Sequence, residues 1–239
     1  MNAWAVLPNR PVPFQPMAAA QDSLAAARGE ERIPDTVFLL QHPPVVTLGS
    51  RGCTHHLLAS PETLARTGIE LARASRGGDV TYHGPGQLVL YPILRLGARE
   101  ADAHGYLHNL EEVAIRTAGD FGVAAFRREG LSGAWTASGK IAAIGFRLKR
   151  WITLHGMSFN VRVDLDHFRL IVPCGLAAEP VTSLAALLAD ACPLIELARE
   201  RMLAHFEDVF GRPLRRIGNA AQLPSEMREL LPPAVLETL

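Results

Sequence analysis

GAWTASGKIAAIGFRLKRWITLHGMSFNV, residues 133–161, reads as a strand, a turn at Ala137-Ser138-Gly139, a long strand and then another strand. In the long strand Ile144, Phe146 and Leu148 alternate with Gly145, Arg147 and Lys149. Successive side chains of a strand point to opposite faces, so this period of two predicts a half-exposed strand. Upstream, DTVFLLQHPPVVTLG (35–49) predicts a strand over Thr36–Leu40, a Pro-Pro interruption, and a second strand ended by Gly49. LVLYPIL (88–94) is an apolar run suited to a buried strand.

The intervening segments have helical periods. An alanine-rich run predicts a first helix over Ala18–Ala27. Ser60 can cap a short helix that starts at Pro61 and carries Glu62 in its first turn. Leu107, Leu110, Val113, Ala114, Ala118 and Phe121 recur at steps of three and four, which makes one apolar helix face. A helix begins near Thr182 and Pro193 restarts it. Its apolar side is Leu194, Leu197, Met202, Phe206 and Val209, and Gly211 and Pro213 stop it. Strands and helices mix without strict alternation, which predicts an α/β fold of the α+β type, a mixed β-sheet covered by helices. Residues 1–214 are expected to form one domain. Residues 215–239 are proline-punctuated and are expected to form a loosely packed tail of no assigned role.

Composition narrows the function classes. The chain has 239 residues, is 48% hydrophobic and carries zero formal net charge. It can bury a sizeable core, and no global field recruits nucleic acid. Cys53, Cys174 and Cys192 stand far apart and are odd in number, unlike a disulfide framework. No secretory signal is evident and no stretch approaches the ~20 apolar residues of a membrane span, so the expected location is the cytoplasm.

RGGDVTYHGPGQ (76–87) packs four glycines and a proline around an arginine, a tyrosine and a histidine. Glycine permits backbone conformations closed to other residues and lets a ligand approach the main chain. The segment lacks the Gly-Lys-Ser/Thr of a phosphate loop and the third glycine of a dinucleotide fingerprint, so it predicts a shaped loop without a nucleotide. His55-His56 and the His104/His108 pair lack further ligands, and no metal site is expected.

Two residues invite chemistry. Cys174 lies between Pro173 and Gly175, presented on a turn as a nucleophile or packed at a strand end; spacing leaves both readings standing. All but two of the 24 basic residues are arginine; the exceptions are Lys140 and Lys149. Lysine can give up its proton in a dry pocket and arginine cannot. Lys140, entering the apolar IAAIG, is either such a base or a solvated turn lysine. Seven basic residues against Glu129 between Arg127 and Arg162 make either a docking patch for an acidic partner or a charged edge strand.

RGGDVTYHGPGQLVLYPI (76–93), SGKIAAIGFRLKRWITLHGMSFNV (138–161) and IVPCGLAAEPVTSL (171–184) occur in this order, with PDTVFLLQHPPVVTLGSRG (34–52) before them. Together they resemble the octanoyltransferase family of lipoate biosynthesis, from about Pro34 to Leu187. The resemblance implies the catalytic fold shared with lipoate and biotin protein ligases. It implies octanoyl transfer from octanoyl-acyl carrier protein to a lysine of lipoyl domains, those of 2-oxoacid dehydrogenase complexes and the glycine cleavage H protein. No cofactor, metal, nucleic acid or membrane is implied. It puts the acyl-thioester cysteine on Cys174 and the activating lysine on Lys140.

The same resemblance puts substrate contacts on Arg76, Gly77, Gly78 and Asp79, on Val80, Thr81, Tyr82 and His83, on Ala143, Ile144 and Gly145, and on Gly156, Met157 and Ser158. Tyr82 and His83 are expected to position the carbonyl. Ser158 and Val172 depart from the family's usual Ala and Asn, the first at the acyl-pocket wall. The competing readings are an ATP-dependent lipoate or biotin ligase on the same fold, a non-catalytic acyl-carrier-binding module, and a thioesterase.

Overall fold

The computed structural model describes residues 3–172 and 179–239. Eleven strands and seven helices follow in chain order among them. They are β1 (Ala3–Val6), α1 (Phe14–Gly29), β2 (Thr36–Leu40), β3 (Val45–Leu48), α2 (Pro61–Thr67), β4 (Glu70–Arg73), β5 (Val80–His83) and β6 (Gln87–Ile93). Next come α3 (Ala103–Gly119), β7 (Phe126–Arg128), β8 (Leu131–Thr136), β9 (Gly139–Lys149) and β10 (Ile152–Asn160). The chain closes with α4 (Leu184–Leu188), α5 (Ile195–Phe210), β11 (Leu214–Ile217), α6 (Ser225–Leu230) and α7 (Pro233–Leu236).

Eight strands form one mixed sheet in the order β11-β1-β2-β6-β10-β9-β8-β7. β11, β1 and β2 run parallel; the remaining pairs are antiparallel. Both faces are covered, so its strands bury every other residue into a different core. On β2, Val37 and Leu39 join the cluster under α3 and α5, while Phe38 and Leu40 join the cluster under α1, α6 and α7. On β6, Leu88 and Leu90 take the first side and Val89, Tyr91 and Ile93 the second. A three-stranded sheet, β4-β3-β5, packs beside it over a core of Val46, Leu48, Val80 and Tyr82.

Expected and observed elements agree closely where periodicity is strong, except that Leu194 and Leu197, expected on the apolar side of α5, are exposed, and that side is Ala198, Met202, Leu203, Phe206 and Phe210. The half-exposed stretch of β9 is present, and Ser60 caps α2 through its hydroxyl on the Thr63 N–H. α1 starts earlier than expected, at Phe14, with Pro16 in its first turn, where a missing N–H costs nothing. The tail is not loosely packed. β11 adds a strand to the sheet, and Leu223, Met227, Leu231 and Val235 are buried against the α1 side.

One residue breaks the rules of a central strand. Pro92 of β6 lies between β2 and β10, where it cannot donate a ladder hydrogen bond. Next to it on β10, His155 adopts φ +57°, and its N–H donates instead to Gln21 Oε1 of α1 at 2.6 Å. The His155 ring lines the cavity described next.

Candidate active site

Between the main sheet and the three-stranded sheet lies a cavity of about 370 Å³. The face of β6 gives it Val89 and Tyr91. β9 and β10 supply Lys140, Ala143, Ile144, Gly145, Gly156, Met157 and Ser158. The loop before β5, and β5 itself, supply Arg76, Gly78, Asp79, Thr81 and His83. Phe14 of α1, the Arg51–His56 loop and the β7–β8 hairpin at Gly130–Ser132 complete the walls.

Close backbone packing explains the glycines. A Cβ at Gly49 would sit 2.5 Å from the Gly78 carbonyl oxygen and 2.7 Å from Arg76 Nη1. A Cβ at Gly145 would sit 2.9 Å from the Gly77 carbonyl oxygen. Gly77 itself does not line the cavity; its N–H donates to the Phe146 carbonyl at 2.9 Å and ties the loop to β9. The Arg76 guanidinium is threaded through this packing. Its Nη2 donates to the Thr47 carbonyl and hydroxyl at 2.8 and 2.7 Å, and its Nη1 to the Gly77 carbonyl at 3.1 Å.

Alternation along β5 divides the expected contacts. Thr81 and His83 face the cavity, whereas Val80 and Tyr82 face the small core. The Tyr82 hydroxyl pairs with His167 Nδ1 at 2.8 Å and its ring packs edge-on against Phe168. Tyr82 therefore does not position a carbonyl. His83 lines the cavity, but its Nδ1–H donates to Gln87 Oε1 at 2.7 Å. That tautomer leaves Nε2 an acceptor, which cannot donate to a carbonyl oxygen.

Lys140 is 7% exposed, and its ammonium lies 4.6 Å from the centre of the Trp135 ring. Arg128 lies over the same indole at 4.5 Å and pairs with Glu179, whose carboxyl it holds below the usual carboxylate range; the charge of Lys140 adds to that. The Lys140 main chain is also fixed. Its N–H donates to the Pro180 carbonyl at 2.8 Å, and its carbonyl accepts from the Thr182 N–H at 2.9 Å. On the other side, the Val172 N–H donates to the His56 carbonyl at 2.7 Å. Cys174 lies outside the described residues. Its segment, 173–178, is thus bounded on both sides by hydrogen bonds to cavity-lining residues.

The histidines in and behind the inner wall are neutral. His42 Nδ1–H donates to the Val12 carbonyl, so its Nε2 accepts from the Tyr91 hydroxyl at 2.8 Å. His155 pairs with the Ser75 hydroxyl at 3.0 Å. Burial pushes His42 down to about 4. Burial, with neighbouring His42 and Arg76, pushes His83 to about 3; burial, with Arg76 and Arg147, does the same to His155. Each unit between folded and unfolded values is worth ~1.4 kcal/mol. An unfolded chain binds these protons below pH ~6.5 while the folded one refuses them down to the depressed values. Stability is therefore complete above pH ~6.5 and falls, by several kcal/mol, as pH drops toward about 4. Urea midpoints measured between these limits check this; a flat profile would contradict the burial of three neutral histidines.

Sequence reasoning missed Trp135, His155, Tyr91 and the Arg51–His56 loop. Pro92 inside an apolar strand is the one signal that pointed toward His155. Cys53, without an evident activator in sequence, has His55 Nδ1 at 3.3 Å from its sulfur. Nor is the basic stretch an uncompensated docking patch. Arg127 pairs with Glu111 and Glu112, Arg128 with Glu179, and Arg147 with Asp22, while Arg162 donates to the Cys192 carbonyl.

The family model of the lipoyl protein ligase A/B catalytic domain matches residues 13–207. An octanoyltransferase of Geobacter metallireducens is 47% identical over 186 residues, covering 78% of this chain and 84% of that protein. One of Solibacter usitatus is 48% identical over 190 residues, covering 80% and 85%. In fold, the chain is similar to lipoate-protein ligase A in a structure bound with ATP (TM-score 0.76, 15% identity, 96% of this chain and 92% of that one). It is similar as well to a bi-partite lipoate protein ligase of Thermoplasma acidophilum (TM-score 0.76, 16% identity, 96% and 90%). The sheet, the cavity and these likenesses together establish a transferase: the chain belongs to the octanoyltransferases of the lipoyl protein ligase A/B catalytic domain family.

Proposed function

We propose that the enzyme takes the octanoyl group from octanoyl-acyl carrier protein onto Cys174 as a thioester, then delivers it to a specific lysine of a lipoyl domain. The observation that carries this reading is the setting of Lys140. It is a buried cation in the cavity wall, and its main chain holds one flank of the Cys174 segment while His56 holds the other. A nearby cation favours the thiolate, which is the nucleophilic form. Arg76, Gly78, Asp79, Thr81 and His83, with Ala143 to Gly145 and Gly156 to Ser158, bound the acyl channel. Burying the eight-carbon tail contributes at most ~5 kcal/mol at ~0.8 kcal/mol per methylene.

In the first step the Cys174 thiolate attacks the thioester carbonyl and the Lys140 ammonium protonates the departing carrier thiolate. In the second, the acceptor amine attacks the new thioester and neutral Lys140 takes a proton from it. An amide replaces a thioester, which draws the sequence forward. The reaction belongs in the cytoplasm; among the described residues no helix is long and apolar enough to cross a membrane.

Intact-protein mass spectrometry after mixing the enzyme with octanoyl-acyl carrier protein tests the reading. One octanoyl group is expected on wild type and none on Cys174→Ser. An ATP-dependent ligase would instead show no adduct and would keep its activity in the serine variant; either result overturns the proposal.

A further inference from the structure

Resting on the two-step transfer above, the protons do not balance on Lys140 alone. In the first step a carbon–sulfur bond forms to the enzyme, the carrier's breaks, and the one labile proton of the Lys140 ammonium leaves with the carrier thiol. In the second step the nucleophile arrives as an ammonium, because a free lysine has a pKa of ~10.4. It must shed one proton to expose its lone pair and a second as the amide forms. The enzyme's carbon–sulfur bond breaks and regenerates the thiolate, and neutral Lys140 takes one proton. One proton remains for another acceptor.

We propose that His56, held by Asp79, is that acceptor: a general base at the cavity mouth that strips the incoming ammonium and hands its proton to water. Asp79 Oδ2 pairs with His56 Nδ1, and Asp79 Oδ1 accepts the Cys53 N–H at 2.9 Å. The carboxylate is thereby locked, with its side chain 12% exposed. Because Nδ1–H donates to it, Nε2 is the acceptor nitrogen. This is the arrangement in which a carboxylate fixes tautomer and ring orientation for a histidine base.

Position separates His56 from the other histidines of the cavity wall. His83 and His155 are buried and refuse protons at neutral pH. The His56 side chain is 34% exposed, so it meets both the cavity and solvent. A base that must release its proton to water needs that dual access. The charged and titratable groups around it are Asp79 in direct contact, Cys53 and His55 on its own loop, and Arg51, Arg76 and Lys140 in the same cavity wall. Its carbonyl accepts the Val172 N–H, so the loop bearing the base is tied to the flank of the nucleophile's segment.

The two half-reactions test this separately, with octanoyl-acyl carrier protein as donor and a lipoyl domain as acceptor. Loading is followed by mass, then isolated octanoyl-enzyme is mixed with the acceptor. In His56→Gln the delivery step is expected to slow by ~10²-fold near neutral pH, at least tenfold more than loading slows. The deficit narrows from about pH 7 to about pH 9 as the amine deprotonates unaided. Hydroxylamine, already uncharged at neutral pH, should strip the octanoyl group equally fast from variant and wild type. Asp79→Asn should show the same pattern with a smaller deficit. Equal slowing of both half-reactions, a deficit independent of pH, or a matching loss with hydroxylamine would overturn the inference and leave the thioester reading intact. A wild-type enzyme that never acquires the octanoyl group would overturn the thioester reading instead.

Discussion

Lys140→Met is expected to lower octanoyl transfer by ~10³-fold or more while the protein melts close to wild type. Methionine is nearly the length of lysine, and its thioether keeps a favourable contact with the Trp135 ring. The main-chain bonds to Pro180 and Thr182 do not depend on the side chain. What disappears is a proton that can be given and taken back. Lys140→Arg sharpens the point, because guanidinium keeps the charge but does not release its proton. It should load octanoyl poorly and deliver it worse. Steady-state transfer to a lipoyl domain, with a thermal scan of each variant, measures both. Activity within tenfold of wild type for the methionine variant would remove Lys140 from the chemistry.

Gly156→Ala has the largest expected structural effect. The added Cβ would sit 2.3 Å from the Leu90 carbonyl oxygen and 2.7 Å from Pro92 Cδ, at φ +159°. Neither is the end of a flexible side chain; both belong to the neighbouring central strand. The β6–β10 pair must separate, and Gly156 sits opposite Gly145 in the cavity wall. A loss of more than ~3 kcal/mol is expected, with transfer falling alongside, because overpacking a rigid core costs about this much. Urea denaturation gives the first quantity. A variant as stable as wild type would mean that the central strands can part here at little cost.

How much of this was legible in the chain depends on the length scale of each signal. Alternation at Ile144, Phe146 and Leu148, and the helical stripe from Leu107 to Phe121, are local patterns, and they yielded β9 and most of α3. Lys140 stood out because arginine supplies almost all other positive charge. The partition of β5 was not foreseen, although Thr81-Tyr82-His83 must alternate. The error came from reading a glycine-flanked segment as one loop surface. Trp135 under Lys140 and His155 beside Ser75 could not be foreseen, since each contact joins residues whose meeting depends on sheet register. β11 escaped notice because a four-residue strand at a sheet edge has too few positions to show a period.

The seating of that last strand has a consequence for how the enzyme is made. β1 lies between β2 and β11, and the Asn9 N–H donates to the carbonyl of Thr238. A nascent chain still attached to the ribosome can fold its middle but exposes β1 as a bare edge, the kind of surface that recruits other strands. That edge is covered only once β11 has been made, so interrupting the chain before Leu214 would act first on solubility during synthesis.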